Sequence, residues 1–311
     1  CRKNSEAANR LREQGFTVHE VGFSGLKFKA SLKLKSLSGQ FDIIHTHTAN
    51  AHTVAYYSAI LGSQTPIVVS KRTDFPVKSP KKFNHQKIAK ILCVSKKIQE
   101  ITQKDVIKPD RVETVYSGID TKRFEGEQKD IRDLIGLTKN EVLIGNCSAL
   151  APQKDYFTFI DLAKRFPDKH FVLIGDGPLE NQLKEYAAGA ENIHYTGFLK
   201  DINLYLKSLD FFLMTSETEG LGTSLLDAMI CKIPIVATRA GGIPEIVIHE
   251  QTGLTAEVRD IEELTKQLNR MLEDSDLRQK LTQNAYNNVI NNFSREITAK
   301  KTFEVYKRIL A

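Results

Sequence analysis

No run of about 18 apolar residues occurs in the 311-residue chain, so nothing in it reads as a membrane-spanning helix. The opening CRKNSEAANR lacks the apolar core of a signal peptide. Cysteine is sparse: Cys1, Cys93, Cys147 and Cys231 stand far apart, with no CxxC pair and no histidine at metal-ligand spacing. That scatter argues against a disulfide framework or a zinc site and for free thiols in a cytoplasmic protein. Disorder is excluded as well, since 41% of the residues are hydrophobic and 26% charged, the balance of a globular chain. The length suffices for two domains, each with its own core.

The net charge of +6 conceals an asymmetry. Residues 1–125 carry 22 Lys and Arg against 11 Asp and Glu, or +11, while residues 126–311 carry 22 against 27, or −5. A basic half joined to a mildly acidic one implies either a solvated basic surface or an anionic partner for the first half. Nucleic acid is disfavoured, because the lysines lack interleaved aromatics and any recognised binding motif.

Short runs rich in Val, Ile and Phe recur between helical patterns, the rhythm of strand-helix units in parallel sheets. In the first half strands are expected at FTVHEV (16–21), FDIIHTH (41–47), PIVVS (66–70), KILCVS (90–95) and VETVYS (112–117). In the second they are expected at VLIGNCS (142–148), HFVLIG (170–175), NIHYTG (192–197), DFFLMTS (210–216) and PIVATR (234–239). Each half therefore reads as its own doubly wound sheet. The polar, turn-rich YSGIDTKRFEG around residues 117–126 marks the boundary. Domains are expected at 1–125 and 126–293, followed by a last helix at 294–311. From Asp260 onward the chain reads as helical, with Ser275 and Ser294 expected as N-caps.

The most informative segment is SETEGLGTSLLDAMICKIPIVATRAGGIPE, residues 216–245. It starts at a strand's C-terminal end, where open α/β sheets bind ligands. Gly220 and Gly222 allow a sharp turn and a close approach of backbone to ligand before a helix begins near Thr223. A helix N-terminus presents unpaired N–H groups and partial positive charge, which suits a pyrophosphate. Glu219 enters this loop, and Asp227, eight residues on, is expected about two turns along the same helix face.

This segment resembles the donor-site signature of retaining glycosyltransferases of family four, with EGLGTSLLDAM, KIPIVAT and AGGIPE in the family's order. DIIHTH, CVSKKIQE, VETVYSGID, LAPQKDYFTFIDLAK and LIGDGP fit the same family, so the resemblance runs from about residue 10 to 310. It implies the GT-B fold: α/β, with two doubly wound, Rossmann-like parallel-sheet domains facing a cleft and a C-terminal helix crossing back to the first. It also implies residue roles. Glu219 would bind the donor sugar, Asp227 the ribose in place of the family's usual Glu, and Lys154 the leaving diphosphate. The N–H groups of Leu221, Gly222 and Thr223 would cradle that diphosphate, with Gly220 among the donor-binding residues of the same turn. Phe198 and Leu199 would hold the base through their backbone, and His47 would face the transferred sugar, with His45 and His52 in supporting positions.

Two departures accompany the resemblance. Ala149 stands where many members have an Arg acting as second cation on the diphosphate, which leaves Arg72 or Arg239 as substitutes. The family opens with a strand, a Gly-Gly loop, a helix and a second strand. This chain reads as starting in the tail of that second strand, with roughly forty residues absent, about one strand-helix-strand unit.

The expected activity is transfer of a hexose from a nucleoside diphosphate, with UDP favoured, to a cell-envelope glycan or lipid-linked acceptor, with retention at the anomeric carbon. The alternative is an inactive nucleotide-sugar-binding scaffold. No cofactor and no catalytic metal are expected, since the DxD at Asp274, Ser275 and Asp276 lies between helical patterns and reads as capping. The run LKFKASLKLKSL (26–37) with Lys78, Lys81, Lys82, Lys87 and Lys90 suggests peripheral contact with an anionic membrane. The last helix is expected to bury Ile297, Phe303, Val305, Tyr306 and Ile309 against the first domain.

Overall fold

The structure, a computed structural model, describes residues 5–20 and 27–311. Cys1, Val21 and Leu26 therefore lie outside the described residues. Two parallel sheets form its frame. The first contains β1 (Ile44–Thr46), β2 (Ile67–Lys71), β3 (Ile88–Cys93) and β4 (Val112–Thr114), paired in that order. The second contains β5 (Leu143–Cys147), β6 (His170–Ile174), β7 (Ile193–Gly197), β8 (Phe211–Met214), β9 (Ile235–Thr238) and β10 (Leu254–Ala256), in the order β10-β9-β8-β5-β6-β7.

The first sheet shows why alternation matters. Its strands follow one another in chain order, and right-handed crossovers then set the connecting helices on one face. Ile67, Val69, Ile91 and Cys93 join the core on that side, with Ala55 and Ile98 from the connecting helices. The intervening residues Val68 and Leu92 point the other way, where a second cover is needed. The last helix, Arg295–Leu310, supplies it: Val305, 1% exposed, packs on Val68, Leu92 and Val115, with Tyr306 and Ile309 beside it. Burying Val305 is worth about 1.5–3 kcal/mol. Phe303, expected in this stripe, is instead 57% exposed, because it projects beside the covered face rather than onto it.

The chain crosses between the sheets twice, and the crossings touch. Ile119 N–H donates to the Phe293 carbonyl at 2.9 Å, and Arg295 N–H donates to the Ile119 carbonyl at 2.9 Å. A Cβ on Gly118 would come within 2.2 Å of the Ser294 carbonyl oxygen, so only glycine lets the two segments lie this close.

Three sequence expectations need correction. Residues 16–20 form no strand, although FTVHE alternates: no described strand lies beside them, and an extended segment without a ladder partner stays irregular. β10 was not foreseen, since its three residues, LTA, carry no apolar run. Ser275 is not an N-cap. Asp274 caps that helix, accepting the Leu277 N–H at 2.8 Å, whereas Ser294 does cap the last helix.

Candidate active site

The order of the second sheet fixes where a site can be. The chain builds β5, β6 and β7 outward, then returns to place β8 on the other side of β5. Loops leaving β5 and β8 therefore diverge and open a crevice at the strands' C-terminal ends, the usual ligand position in such sheets. Lys154 follows β5 and Glu219 follows β8, and their side chains meet as an ion pair, both mostly buried.

Main-chain bonds set that meeting. Glu217 N–H donates to the Gln153 carbonyl at 3.0 Å, and the Thr215 hydroxyl donates to the Asp155 carbonyl at 2.8 Å. Asp155 takes the left-handed conformation, φ +44°, which is strained for a residue with a Cβ. Its carboxylate offsets the strain by capping the next helix at Thr158, so the sharp turn throws Lys154 toward β8. The Ser216 hydroxyl donates to Glu219 Oε1 at 3.2 Å.

Beyond Glu219 the backbone turns into the helix Thr223–Ile230 through Gly222, φ +86°. Gly220 faces the first sheet so closely that a Cβ there would stand 2.2 Å from the Arg72 carbonyl oxygen. Because Glu219 precedes the helix, it and Asp227 are not two turns apart on one helical face. The turn between them brings both to one cavity of about 470 Å³, lined by Glu219, Gly220, Leu221, Gly222, Thr223 and Asp227 from the second-sheet side.

Asp227 is unusual. Its Oδ1 is buried without a hydrogen-bond partner, while Oδ2 lies 3.6 Å from the Arg123 guanidinium. Burial pushes its carboxyl up to about 6, and Arg123 draws it part of the way back. A buried acceptor without a donor calls for a hydroxyl or similar group from elsewhere.

Arg72 and Ser117 close the cavity from the first sheet, and Arg123 lines it from the turn Thr121–Phe124, which packs on the helix Thr223–Ile230. Arg72 follows β2 and donates to the Ser117 hydroxyl at 3.3 Å. Arg239, the other candidate substitute for the cation missing at Ala149, is engaged elsewhere, with Glu257 at 2.7 Å and the Thr255 hydroxyl at 3.1 Å. Arg123 was missed in the sequence because YSGIDTKRF reads as a linker. Its signal was two cations in a polar turn just past a strand end.

His47 does not line this cavity. It lines two adjoining ones, each sharing Arg72 with it. Burial and then Arg72 lower the His47 imidazole pKa. His45, held between Tyr306 and Ser70, falls to about 3 through burial, then His47, then Arg72. His52, stacked edge-on against Phe83, falls to about 4, chiefly through burial. Phe198 and Leu199 line none of these cavities: Phe198 is 70% exposed at the end of β7, and Leu199 packs on the core. Among the described residues no group of three His, Cys, Asp or Glu side chains could hold a metal ion.

The chain matches the family model described as glycosyl transferases group 1 over residues 127–288, and that of glycosyltransferase family 4 over residues 6–123. It belongs to this family of glycosyltransferases. Its two parallel sheets are those of a GT-B glycosyltransferase of the family-four type. The glycosyltransferase is 26% identical over 287 residues to the N-acetyl-alpha-D-glucosaminyl L-malate synthase of Bacillus anthracis, covering 86% of this chain and 75% of that one. It is also 26% identical over 295 residues to the UDP-Gal:alpha-D-GlcNAc-diphosphoundecaprenol alpha-1,3-galactosyltransferase of Escherichia coli, with the same coverage. The crystal structure of Anabaena HepE in complex with UDP-glucose superposes with a TM-score of 0.83 at 21% identity, over 96% of this chain and 88% of HepE, a likeness of fold.

Proposed function

We propose that this glycosyltransferase moves a hexose from UDP to a lipid-linked or cell-envelope glycan acceptor, with retention at the anomeric carbon. The observation that carries the reading is the Lys154–Glu219 pair at the β5/β8 crevice, beside the turn at Gly220 to Thr223. In it Glu219 binds the donor sugar's hydroxyls and Lys154 neutralises the leaving diphosphate. The N–H groups of Leu221, Gly222 and Thr223 share that charge at the helix terminus. Asp227 Oδ1, buried and unpartnered, accepts from a ribose hydroxyl. Arg72 and Arg123 supply the second cation that Ala149 does not.

UDP is supported by the names of HepE's ligand and of the Escherichia coli relative's donor. The base lies toward the backbone of Phe198 and Leu199 in this reading, and His47 faces the transferred sugar. No side chain at the cavity stands as an evident covalent nucleophile. Retention then follows from front-face attack by the acceptor, assisted by the departing phosphate, with the protein positioning the reactants and stabilising the charge that develops. Positive charge comes from these side chains and the helix terminus, without a catalytic metal.

A lipid-linked acceptor is supported by the diphosphoundecaprenol substrate in the Escherichia coli relative's name and by the surface of the first half. The helix Lys27–Ser38 exposes Phe28 (54%) and Leu32 (43%) among Lys27, Lys29 and Lys33. The adjacent helix Ala49–Ile60 exposes Tyr57 and Ile60. Each lysine near an anionic surface contributes about 1 kcal/mol, and the apolar side chains add to it. No helix among the described residues is long and apolar enough to cross a membrane.

The test is incubation with a panel of UDP- and GDP-sugars and an undecaprenyl-diphosphate-linked sugar, in EDTA, with product configuration read by NMR. An α-linked product from a UDP-hexose is expected. An inverted product, or dependence on added metal, overturns the mechanism. Co-sedimentation with anionic vesicles but not neutral ones, falling as salt rises, is expected for the membrane contact.

A further inference from the structure

The carboxylate that ends the AGGIPE run joins the two sheets. Glu245 lies in the short 3-10 turn Ile243–Glu245, which follows β9. Its Oε2 accepts the Lys96 N–H at 2.8 Å, and its Oε1 accepts the Lys97 N–H at 2.9 Å. These are the first residues of the ten-residue helix Lys96–Asp105, which follows β3 in the other sheet. The leading N–H groups of a helix have no partner within it and carry partial positive charge, so a carboxylate there is doubly favoured. Ser95 takes the Ile98 N–H at 3.2 Å, and Glu245 takes the two before it. A third bond comes from the Tyr116 hydroxyl, which donates to Oε2 at 2.8 Å just past β4. Burial, and after it Glu245 itself, raises the Tyr116 pKa, so the hydroxyl keeps its proton and donates.

The same turn also reaches Glu219. Gly242 N–H donates to the Glu219 carbonyl at 2.9 Å. A Cβ on Gly242 would stand 2.4 Å from the Gly220 carbonyl oxygen and 3.0 Å from Ser95 Cβ. The Glu219 backbone, the glycine turn and the helix start of the opposite sheet are stacked without a gap.

We propose that Glu245 is a positioning residue: it fixes the separation of the two sheets at the cleft and, through Gly242, holds the Glu219 loop in register with Arg72 opposite. The catalytic consequence rests on the donor-site reading above, while the geometric one stands without it.

The test compares Glu245→Ala, Glu245→Gln and Tyr116→Phe in the full chain. Inter-sheet distance is read by double electron–electron resonance from one engineered spin label on each sheet's outer helices, alongside UDP affinity and steady-state kinetics. For Glu245→Ala a longer and broader distance is expected, with kcat down by about a hundredfold and UDP affinity within about threefold, as for a misplaced but intact site. Glu245→Gln keeps one acceptor and falls between, which also serves if the alanine variant does not fold. Tyr116→Phe shows the smallest change. An unchanged distance, or lower thermal stability with unchanged kcat, overturns the proposal. If the wild-type chain transfers no sugar from UDP, the donor-site reading fails, and the distance measurement alone decides for or against the latch.

Discussion

The two walls of the cleft are held in different ways. On the second-sheet side the loop after β5 and the loop after β8 are tied by the Glu217 N–H and the Thr215 hydroxyl, both donating to main-chain carbonyls, so Lys154 and Glu219 are placed by bonds to the backbone. On the first-sheet side His47 and Arg72 rest on side-chain bonds to Ser70 and Ser117, each 3.3 Å long, at a rim open to solvent. A wall built from backbone requires glycines and short polar residues at fixed offsets and tolerates few sequences. A wall built from side chains can be recomposed to suit another acceptor.

The sharpest way to break this comparison is to remove the groups held by backbone. Lys154→Ala and Glu219→Gln are each expected to lower kcat/KM for the donor by about a hundredfold or more, the scale for one lost contact to developing charge. Near-normal rates in both would mean that the rigid wall is not the donor site.

Asp227 offers a different measure, because its raised pKa is a statement about stability. The folded carboxyl titrates at about 6 against an ordinary 3.8. Its stabilising contribution is therefore complete below about pH 4 and is lost as pH rises through 6. Asp227→Asn should be more stable than the parent by about 3 kcal/mol at pH 8 and equal to it near pH 4. The same variant should bind UDP more weakly, because the amide meets the ribose with an altered donor set. A variant no more stable at pH 8 would show that the buried carboxylate already has a partner.

Sharpening the comparison takes the smallest change, on the other wall. Arg72→Ala should weaken UDP binding by about tenfold, the worth of one charge-assisted contact at a rim. Isothermal titration would show it, and an unchanged affinity would assign the second cation to Arg123 alone.

Legibility in the sequence followed the same division. EGLGTSLLDAM could be read because a left-handed Gly222 and a Gly220 pressed against the Arg72 carbonyl leave no alternative residue. Most strands could be read because parallel, twice-covered strands are continuously apolar. Residues 16–20 misled because alternation predicts a strand only where a neighbour exists. Arg123 and Glu245 were unreadable in their roles, since each depends on a group far along the chain: Asp227 for one, and the N–H groups of Lys96 and Lys97 for the other.

The pairing of Ile119 with the segment around Ser294 constrains how this cleft can move. A single connector between two bodies permits swivel as well as bend. Two connectors bonded side by side behave as a strap, which resists torsion and leaves flexing about one axis as the soft motion. The strap alone would let the cleft widen or narrow with its walls in the same lateral alignment, the Glu245 contacts setting the separation, and severing either crossing alone would leave the two bodies joined.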